Sequence, residues 1–95
     1  MLLDHKPHTV GARKTWIIDY SQWLKAGDML APFGFSATTT SPTVTIDFVT
    51  RISDTTLQFF VNGGALNEIF TVSIQITTLL TEVKNDTVEF FVVAP

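Results

Sequence analysis

The residues best suited to bind a metal ion or move a proton lie near the start of the chain, where His5 and His8 stand three positions apart beside Asp4. This spacing places two imidazoles on one face of a helix, and zinc accepts imidazole and carboxylate ligands. Pro7 lies between the histidines, however, and the segment has no helical periodicity. We therefore interpret these side chains as solvated polar residues and expect no metal ion and no cofactor.

Catalysis by a nucleophile or by paired carboxylates is not indicated either. The chain has no Gly-x-Ser-x-Gly turn of the kind that exposes a nucleophilic serine in many hydrolases. No glycine loop leads into a helix as in phosphate-binding sites. Acidic residues such as Asp47 and Glu89 alternate with apolar neighbours, which is typical of outward-facing charges on strands. We expect no catalytic residues and no enzymatic activity.

The composition limits how many domains the chain can form and which kinds of site it can contain. With 95 residues, 45% of them hydrophobic, the chain is long enough for one domain with one core. It has no cysteine, so no disulfide and no thiolate zinc site can form. A net charge of −3 and six scattered basic residues do not predict nucleic-acid binding. No stretch approaches the ~20 apolar residues of a membrane span, and we expect no signal peptide.

Two segments alternate between apolar and polar residues, at 43–48 and at 70–77. A period of two predicts strands with one buried and one wet face, which is typical of antiparallel sheets. Further short strands are predicted at residues 15–20, 29–36, 57–61 and 87–93. Turns are predicted at Asn62-Gly63-Gly64, Ser53-Asp54 and Asn85-Asp86. The sequence thus predicts an all-β, antiparallel β-sandwich of about seven short strands.

Two segments differ from this pattern. Asp19 or Ser21 can cap a helical turn near residues 20–26 and Gly27 can end it. Such a turn would bring Trp23 inward at one end of the sandwich. Residues 1–14 show no periodicity, so we expect an extended N-terminal arm there and a sandwich domain over residues 15–95.

The large apolar residues are predicted to divide between the core and an interface. Residues expected to fill the core or close one end are Trp16, Trp23, Leu24, Phe70, Val72 and Ile74. Segments 57–61 and 90–93 are apolar on both faces, so some of their side chains must point outward and are candidate protein contacts. The predicted partner interface consists of Leu2, Leu3, His5, Pro7, Phe60, Phe91 and Val93. Alternatively, Trp16 and Trp23 could stack on a sugar.

Lys6-Pro7 and residues 16–28 resemble the opening of a family of small tailed-bacteriophage virion structural proteins. Its members typically have Lys-Asp-Pro, then aliphatic-Asp-Trp-Ser-x-Trp-Leu and Gly-Asp; residues 18–24 here read Ile-Asp-Tyr-Ser-Gln-Trp-Leu. A Thr/Ser-rich middle at 38–42, Gly63-Gly64 and the strand from Phe70 complete the resemblance. The chain departs from the family pattern at Tyr20, where tryptophan is usual, and at Phe70, where tyrosine is usual. Leu-Leu-Thr at 79–81 replaces the usual Gly-Arg.

The resemblance implies an immunoglobulin-like domain that serves as a building block of the virion. It implies a multi-copy protein of the neck or tail, a collar component or fibre–tail adaptor in a symmetric assembly; the alternatives are a capsid decoration protein or a surface glycan-binding module. Its partners would be other virion proteins of the portal, neck, tail or capsid, without nucleic acid or membrane. We expect the chain to fold in the host cytoplasm and to reside in the virion.

Overall fold

The structure is a computed structural model that describes residues 2–95, with side chains from His5 onward. Within this range the chain forms seven strands and no helix. The strands are β1 (Leu2–Thr9), β2 (Arg13–Asp19), β3 (Ser36–Thr39), β4 (Val44–Arg51), β5 (Thr56–Gly63), β6 (Ile69–Thr77) and β7 (Val83–Val93). The predicted all-β fold of about seven strands is confirmed. No helix in the described range has the length and apolar character needed to cross a membrane.

The strands form two sheets arranged as a β-sandwich. One sheet has the order β1-β7-β6-β3 and the other the order β2-β5-β4. Neighbouring strands are antiparallel, except that β1 runs parallel to β7. Immunoglobulin constant domains order their B-E-D and C-F-G strands in the same way, but their first strand lies beside B. The immunoglobulin-like relation stays a prediction, which this strand order favours.

Alternation along the strands determines which side chains enter the core. Strand β6 alternates between exposed and buried residues almost throughout, and β5 points Leu57, Phe59 and Val61 inward. Phe90 of the opposite sheet is fully buried against them. Burying one such large side chain contributes about 1.5–3 kcal/mol. The two segments predicted from strict alternation are confirmed as β4 and β6.

The segment predicted to be an arm is mostly strand β1. Its backbone pairs with β7 from Thr87 to Val93, and its His8 is only 1% exposed. A short turn at residues 10–12 then leads directly into β2, which begins at Arg13. Strand β1 and the start of β2 thus lie within the segment predicted as an arm; the division into an arm over residues 1–14 and a domain from residue 15 stays a prediction, and Met1 lies outside the described residues. The inward residue of β1 is a histidine, so the strand has no apolar alternation to detect.

Residues 20–26 form one hydrogen-bonded turn where a single helical turn is predicted, and this turn does not extend into a helix. The N–H groups of Trp23 and Leu24 both donate to the carbonyl oxygen of Tyr20, each at 3.0 Å. Tyr20 is 3% exposed and anchors the turn, whereas Trp23 is 37% exposed. The chain therefore turns sharply over the end of the sandwich without forming a helix.

Three of the local predictions between the strands are wrong. In segment 29–36, only Leu30 makes an isolated bridge, to Thr78, and β3 begins at Ser36. Asn85-Asp86 lies inside β7, and the hairpin comes earlier, between residues 77 and 83. Gly63-Gly64 does not close a hairpin, because β5 and β6 belong to different sheets. Glycine is required at Gly63 nonetheless: its φ is +94°, and a Cβ would lie 2.5 Å from the carbonyl oxygen of Thr43.

Candidate partner-binding surfaces

The two histidines point to opposite sides of β1. His8 is buried, and its Nε2 lies 2.9 Å from the carbonyl oxygen of Gly63 and 3.1 Å from that of Ala12. Both partners are acceptors, so Nε2 must carry the proton. His5 faces outward, with its Nδ1 2.6 Å from a carboxylate oxygen of Glu89. The histidines cannot share a metal ion, and the described residues contain no metal-binding group of three or more His, Asp or Glu.

A polar cluster between the sheets joins β7 to the turn after β2. Lys84 Nζ donates to Asp86 Oδ1 at 2.7 Å, and the two side chains are 14% and 0% exposed. Burial and the nearby Asp86 carboxylate raise the pKa of the Tyr20 phenol. Trp23 covers the cluster, with its ring 6.4 Å from that of Tyr20 and 5.5 Å from Lys84 Nζ. These contacts are shielded from solvent and hold this end of the sandwich closed.

Two depressions in the surface are lined mainly by uncharged side chains. One of about 440 Å³ lies on the four-stranded sheet and is lined mainly by Ser, Thr, Gln and Asn side chains. Another of about 290 Å³ opens between the sheets beside Trp16 and Phe90. Trp16 packs edge-on against Phe90 at 5.1 Å, whereas Trp23 packs on Tyr20 at the end of the sandwich. The two tryptophans therefore do not form a shared exposed surface.

Four of the predicted interface residues lie together on the outer side of β1 and β7. The ring of His5 stacks on Phe91 at 4.6 Å, and Pro7 is in register with Phe91. Ile69 of β6 pairs with Phe91 from the other side and is 65% exposed, and sequence reasoning missed it because it precedes the alternating segment. The set forms what we call the β1–β7 face: His5, Pro7, Ile69, Phe91 and Val93. Leu2 and Leu3 belong to β1, but their side chains lie outside those described.

Phe60, the remaining predicted interface residue, lies on the opposite sheet. Its ring packs edge-on against Phe48 at 5.9 Å, and the guanidinium of Arg13 lies 4.1 Å from the centre of the Phe60 ring. Ile17 faces the same side and is 57% exposed. We call Arg13, Ile17, Phe48 and Phe60 the aromatic face. The predicted interface residues thus lie on two opposite surfaces.

Phe48 points outward, although the alternation of its segment predicts an inward side chain. Its strand shifts register between Asp47 and Thr50, where a β-bulge interrupts the pairing with β5. Phe48 has φ of +48° and is 69% exposed. A β-bulge reorients side chains in this way, and nothing in the residue types of 43–48 announces it.

A third apolar surface covers the end of the sandwich opposite the β1–β2 turn. The hydrogen bonds from Leu30 N–H to Asp54 O and from Leu79 N–H to Met29 O, at 2.8 and 3.0 Å, join the loops that form this end. Six exposed large apolar side chains lie on these loops and their margins. We call them the loop-end surface: Trp23, Phe33, Ile52, Leu79, Leu80 and Val83. The adjacent pair Leu79-Leu80, in a predicted connection between strands, was the sequence signal for it.

The opposite end is held by the carboxylate of Glu68. It accepts hydrogen bonds from the hydroxyls of Ser41 and Thr43 and, at 3.1 Å, from the N–H of Ala65. These donors favour the charged form and lower the pKa of Glu68. At this end Leu66 is an isolated exposed apolar residue.

A family model described as podophage GP4 fiber-tail adaptor protein gp77 matches residues 9–91, from the end of β1 to near the end of β7. The chain belongs to this family. This match confirms the prediction that the chain is a phage virion structural protein of the tail or fibre adaptor type. No curated protein matches the chain.

An adaptor implies binding to other virion proteins, and exposed apolar surfaces are candidates for such contacts. The adaptor carries three of them on its described residues: one on each sheet and one at the loop end. Sequence reasoning found parts of the first two, because apolar residues on both faces of a strand are visible in a sequence. It did not identify the third, because apart from the adjacent pair Leu79-Leu80 the loop residues carry no pattern against which an apolar residue stands out.

Proposed function

We propose that this chain is a non-enzymatic, multi-copy adaptor that joins a tail fibre to the tail of a podophage virion. It folds in the host cytoplasm and then binds other virion proteins, with the fibre docking on the loop-end surface. The observation that carries the proposal is the concentration of exposed apolar side chains at one end of a chain that belongs to a fibre–tail adaptor family.

The size of the loop end supports the multi-copy part of the proposal. The molecule measures 43 × 21 × 20 Å, so an end has a cross-section about 20 Å wide. Such an end offers roughly half of the ~800 Å² that each partner contributes to a standard stable interface. A single copy would therefore hold a fibre weakly. Several copies arranged around the tail would hold it firmly, because linked sites gain avidity without any new type of contact.

The lack of enzymatic activity is supported by the surroundings of the groups that could act as bases. His8 is 1% exposed and its Nε2 donates to two carbonyl oxygens, so its ring does not reach a substrate at the surface. His5 is held against Glu89 under an aromatic stack rather than beside a nucleophile. No observation favours capsid decoration or glycan binding over the adaptor role.

The proposal is tested by placing charges on the loop-end surface of the adaptor in complete phage particles. Leu79 and Leu80 are 50% and 62% exposed, so Leu79→Asp with Leu80→Asp should leave folding intact. We expect particles that carry this double variant to bind at least tenfold less fibre, measured by quantitative mass spectrometry of purified virions. The control is Leu66→Asp, which places one carboxylate at the opposite end. Normal fibre content in the double variant would reject the proposed docking surface.

A further inference from the structure

We propose that copies of this chain associate head to tail, the aromatic face of one copy binding the β1–β7 face of the next. In this contact Arg13 of one copy lies against Glu89 of its neighbour. The inference rests on the multi-copy adaptor function and deepens it by naming the surfaces through which the copies meet.

The first argument is the backbone at Phe48. A bulky residue with a positive φ is strained, and such strain persists where a function requires it. Here the conformation turns a phenyl ring outward, leaving it 69% exposed and supported only from one side by Phe60 and Arg13. Within one molecule the outward ring contacts Phe60 and Arg13 but leaves most of its apolar surface in water. A second molecule that covers the ring would remove its apolar surface from water.

The second argument is the complementary charge of the two sheet faces. The guanidinium carbon of Arg13 lies over the Phe60 ring, 4.1 Å from its centre, and none of the ion pairs found among the described residues includes Arg13. An arginine held on an aromatic ring keeps N–H groups free to bind a carboxylate in a bidentate manner. On the other sheet, Glu89 stands between His5 and Thr71 and next to the apolar Phe91, with its side chain 36% exposed. The aromatic face therefore presents a positive charge, and the β1–β7 face presents a negative charge.

The charges also favour a head-to-tail contact over a two-fold contact. In a two-fold dimer each face meets its own copy, which brings Arg13 towards Arg13 or Glu89 towards Glu89. Like charges placed opposite each other in an interface disfavour that arrangement. The head-to-tail contact pairs opposite charges and leaves a free aromatic face and a free β1–β7 face for further copies.

The two faces lie at the same level along the strands. Arg13 begins β2, while Phe91 and Val93 lie at the end of β7, and the hydrogen bond from His8 to Gly63 joins the two sheets at this end. One copy can therefore follow the next without a shift along the strand direction, and such a head-to-tail contact forms a ring when its rotation closes. A face 43 Å long and 21 Å wide can also supply the roughly 800 Å² per partner of a stable interface.

Cysteine cross-linking tests the contact, because the chain has no cysteine of its own. Thr15 is in register with Phe60 on the aromatic face, and Thr71 is in register with Glu89 on the other; both are exposed. We expect a mixture of full-length Thr15→Cys and Thr71→Cys proteins to form a disulfide-linked dimer at least tenfold faster than either protein alone. Faster 15–15 or 71–71 linkage would indicate a two-fold contact and overturn the proposal. Absence of a 15–71 link, both in solution and in particles carrying both cysteines, would also overturn it.

Charge reversal provides an independent test of the Arg13–Glu89 pairing. We expect Arg13→Glu and Glu89→Arg each to weaken self-association at least tenfold in sedimentation experiments, with Lys25→Glu at the loop end as the control. An equimolar mixture of the two variants should recover association, because the carboxylate introduced at position 13 of one variant then meets the guanidinium introduced at position 89 of the other. Failure of the mixture to recover, while the variants enter particles normally, would reject the inference alone. Absence of the wild-type chain from virions would instead reject the proposed function.

Discussion

At the scale of single residues, the buried Lys84–Asp86 pair lies in a segment whose residue types predict a turn. Asn85-Asp86 has the residue types of a hairpin connection, yet Asp86 points into the molecule and accepts a hydrogen bond from Lys84. Lys84, Asp86 and Val88 are alternate residues of β7, so all three face the core side. A local sequence signal could not reveal this, because the groups that shield the pair, Tyr20 and Trp23, lie more than sixty positions earlier in the chain.

Removing the carboxylate of Asp86 should destabilise the fold strongly. In Asp86→Ala the ammonium group of Lys84, whose side chain is only 14% exposed, loses its carboxylate partner. Breaking a buried pair in this way costs about 3 kcal/mol. Urea unfolding monitored by circular dichroism measures the loss.

The control for Asp86 is Asp54, which also pairs with a basic residue, Arg51, but is itself 66% exposed. Exposed pairs contribute about 0–1 kcal/mol, so Asp54→Ala should change the free energy of unfolding only slightly. Equal losses in the two variants would mean that the Lys84–Asp86 pair is not shielded as described.

His8 illustrates the same limit on sequence reasoning. Its residue type and its neighbour Pro7 suggest a solvated histidine, whereas the ring is buried and donates to Gly63, which lies 55 positions away. Phe70 and Phe90 contact the ring edge-on, with centroids 6.3 and 6.4 Å from that of His8. Only the pairing of β1 with β7 brings these groups together, and parallel pairing with a distant strand leaves no short-range signal.

At the scale of elements, strands with strictly alternating apolar residues are predictable from the sequence. Strands whose position or side-chain orientation depends on contacts with other segments are not. Strand β6 was found because every second residue is apolar and enters the core. Strand β3, only four residues long, was placed too early, because the apolar segment before it packs as a loop at the end of the sandwich. The orientation of Phe48 depends on a bulge relative to β5, which the residues of β4 alone do not specify.

The loops at the Glu68 end should loosen in acid. Hydrogen bonds from Ser41, Thr43 and Ala65 lower the pKa of Glu68 below its ordinary value. A carboxyl whose pKa is lower in the folded state stabilises the fold fully above the ordinary glutamate pKa, and this contribution disappears as the pH falls through the folded-state pKa. We expect the wild type to be more stable than Glu68→Gln from neutral pH down to about pH 5, and the difference to shrink below about pH 4.

Thermal unfolding of both proteins across this pH range provides the measurement. The variant keeps the size of the side chain, so packing changes little, and other carboxyl groups titrate equally in the two proteins. A stability difference that stays constant down to about pH 2 would show that the charge of Glu68 is not what holds Ser41 and Thr43.

At the scale of the whole molecule, the sandwich was predictable from composition and alternation, but the position of the first strand was not. The sheet order β2-β5-β4 follows from sequential antiparallel pairing and one return connection, a common arrangement in sandwiches. Strand β1 instead joins the other sheet in parallel with β7. It therefore forms part of the β1–β7 face, and the candidate site predicted from the arm and from Phe91 becomes a single surface of the folded domain.

Deleting residues 2–9 decides between a paired strand and a free arm. In the structure the deletion removes His8 from the core and leaves the carbonyl oxygen of Gly63 without the imidazole donor. It also exposes the edge of β7, so we expect a loss of several kcal/mol. Since 1 kcal/mol shifts the Tm of a domain of this size by about 4–8 °C, differential scanning calorimetry should record a decrease of at least about 10 °C.

The control, His5→Ala with Pro7→Ala, alters only outward side chains of β1 and should change the Tm by a few degrees at most. If the truncated protein kept the wild-type Tm and failed only to enter particles, residues 2–9 would act as a free arm that orders on its partner, and the β1–β7 face would exist only in the assembled virion.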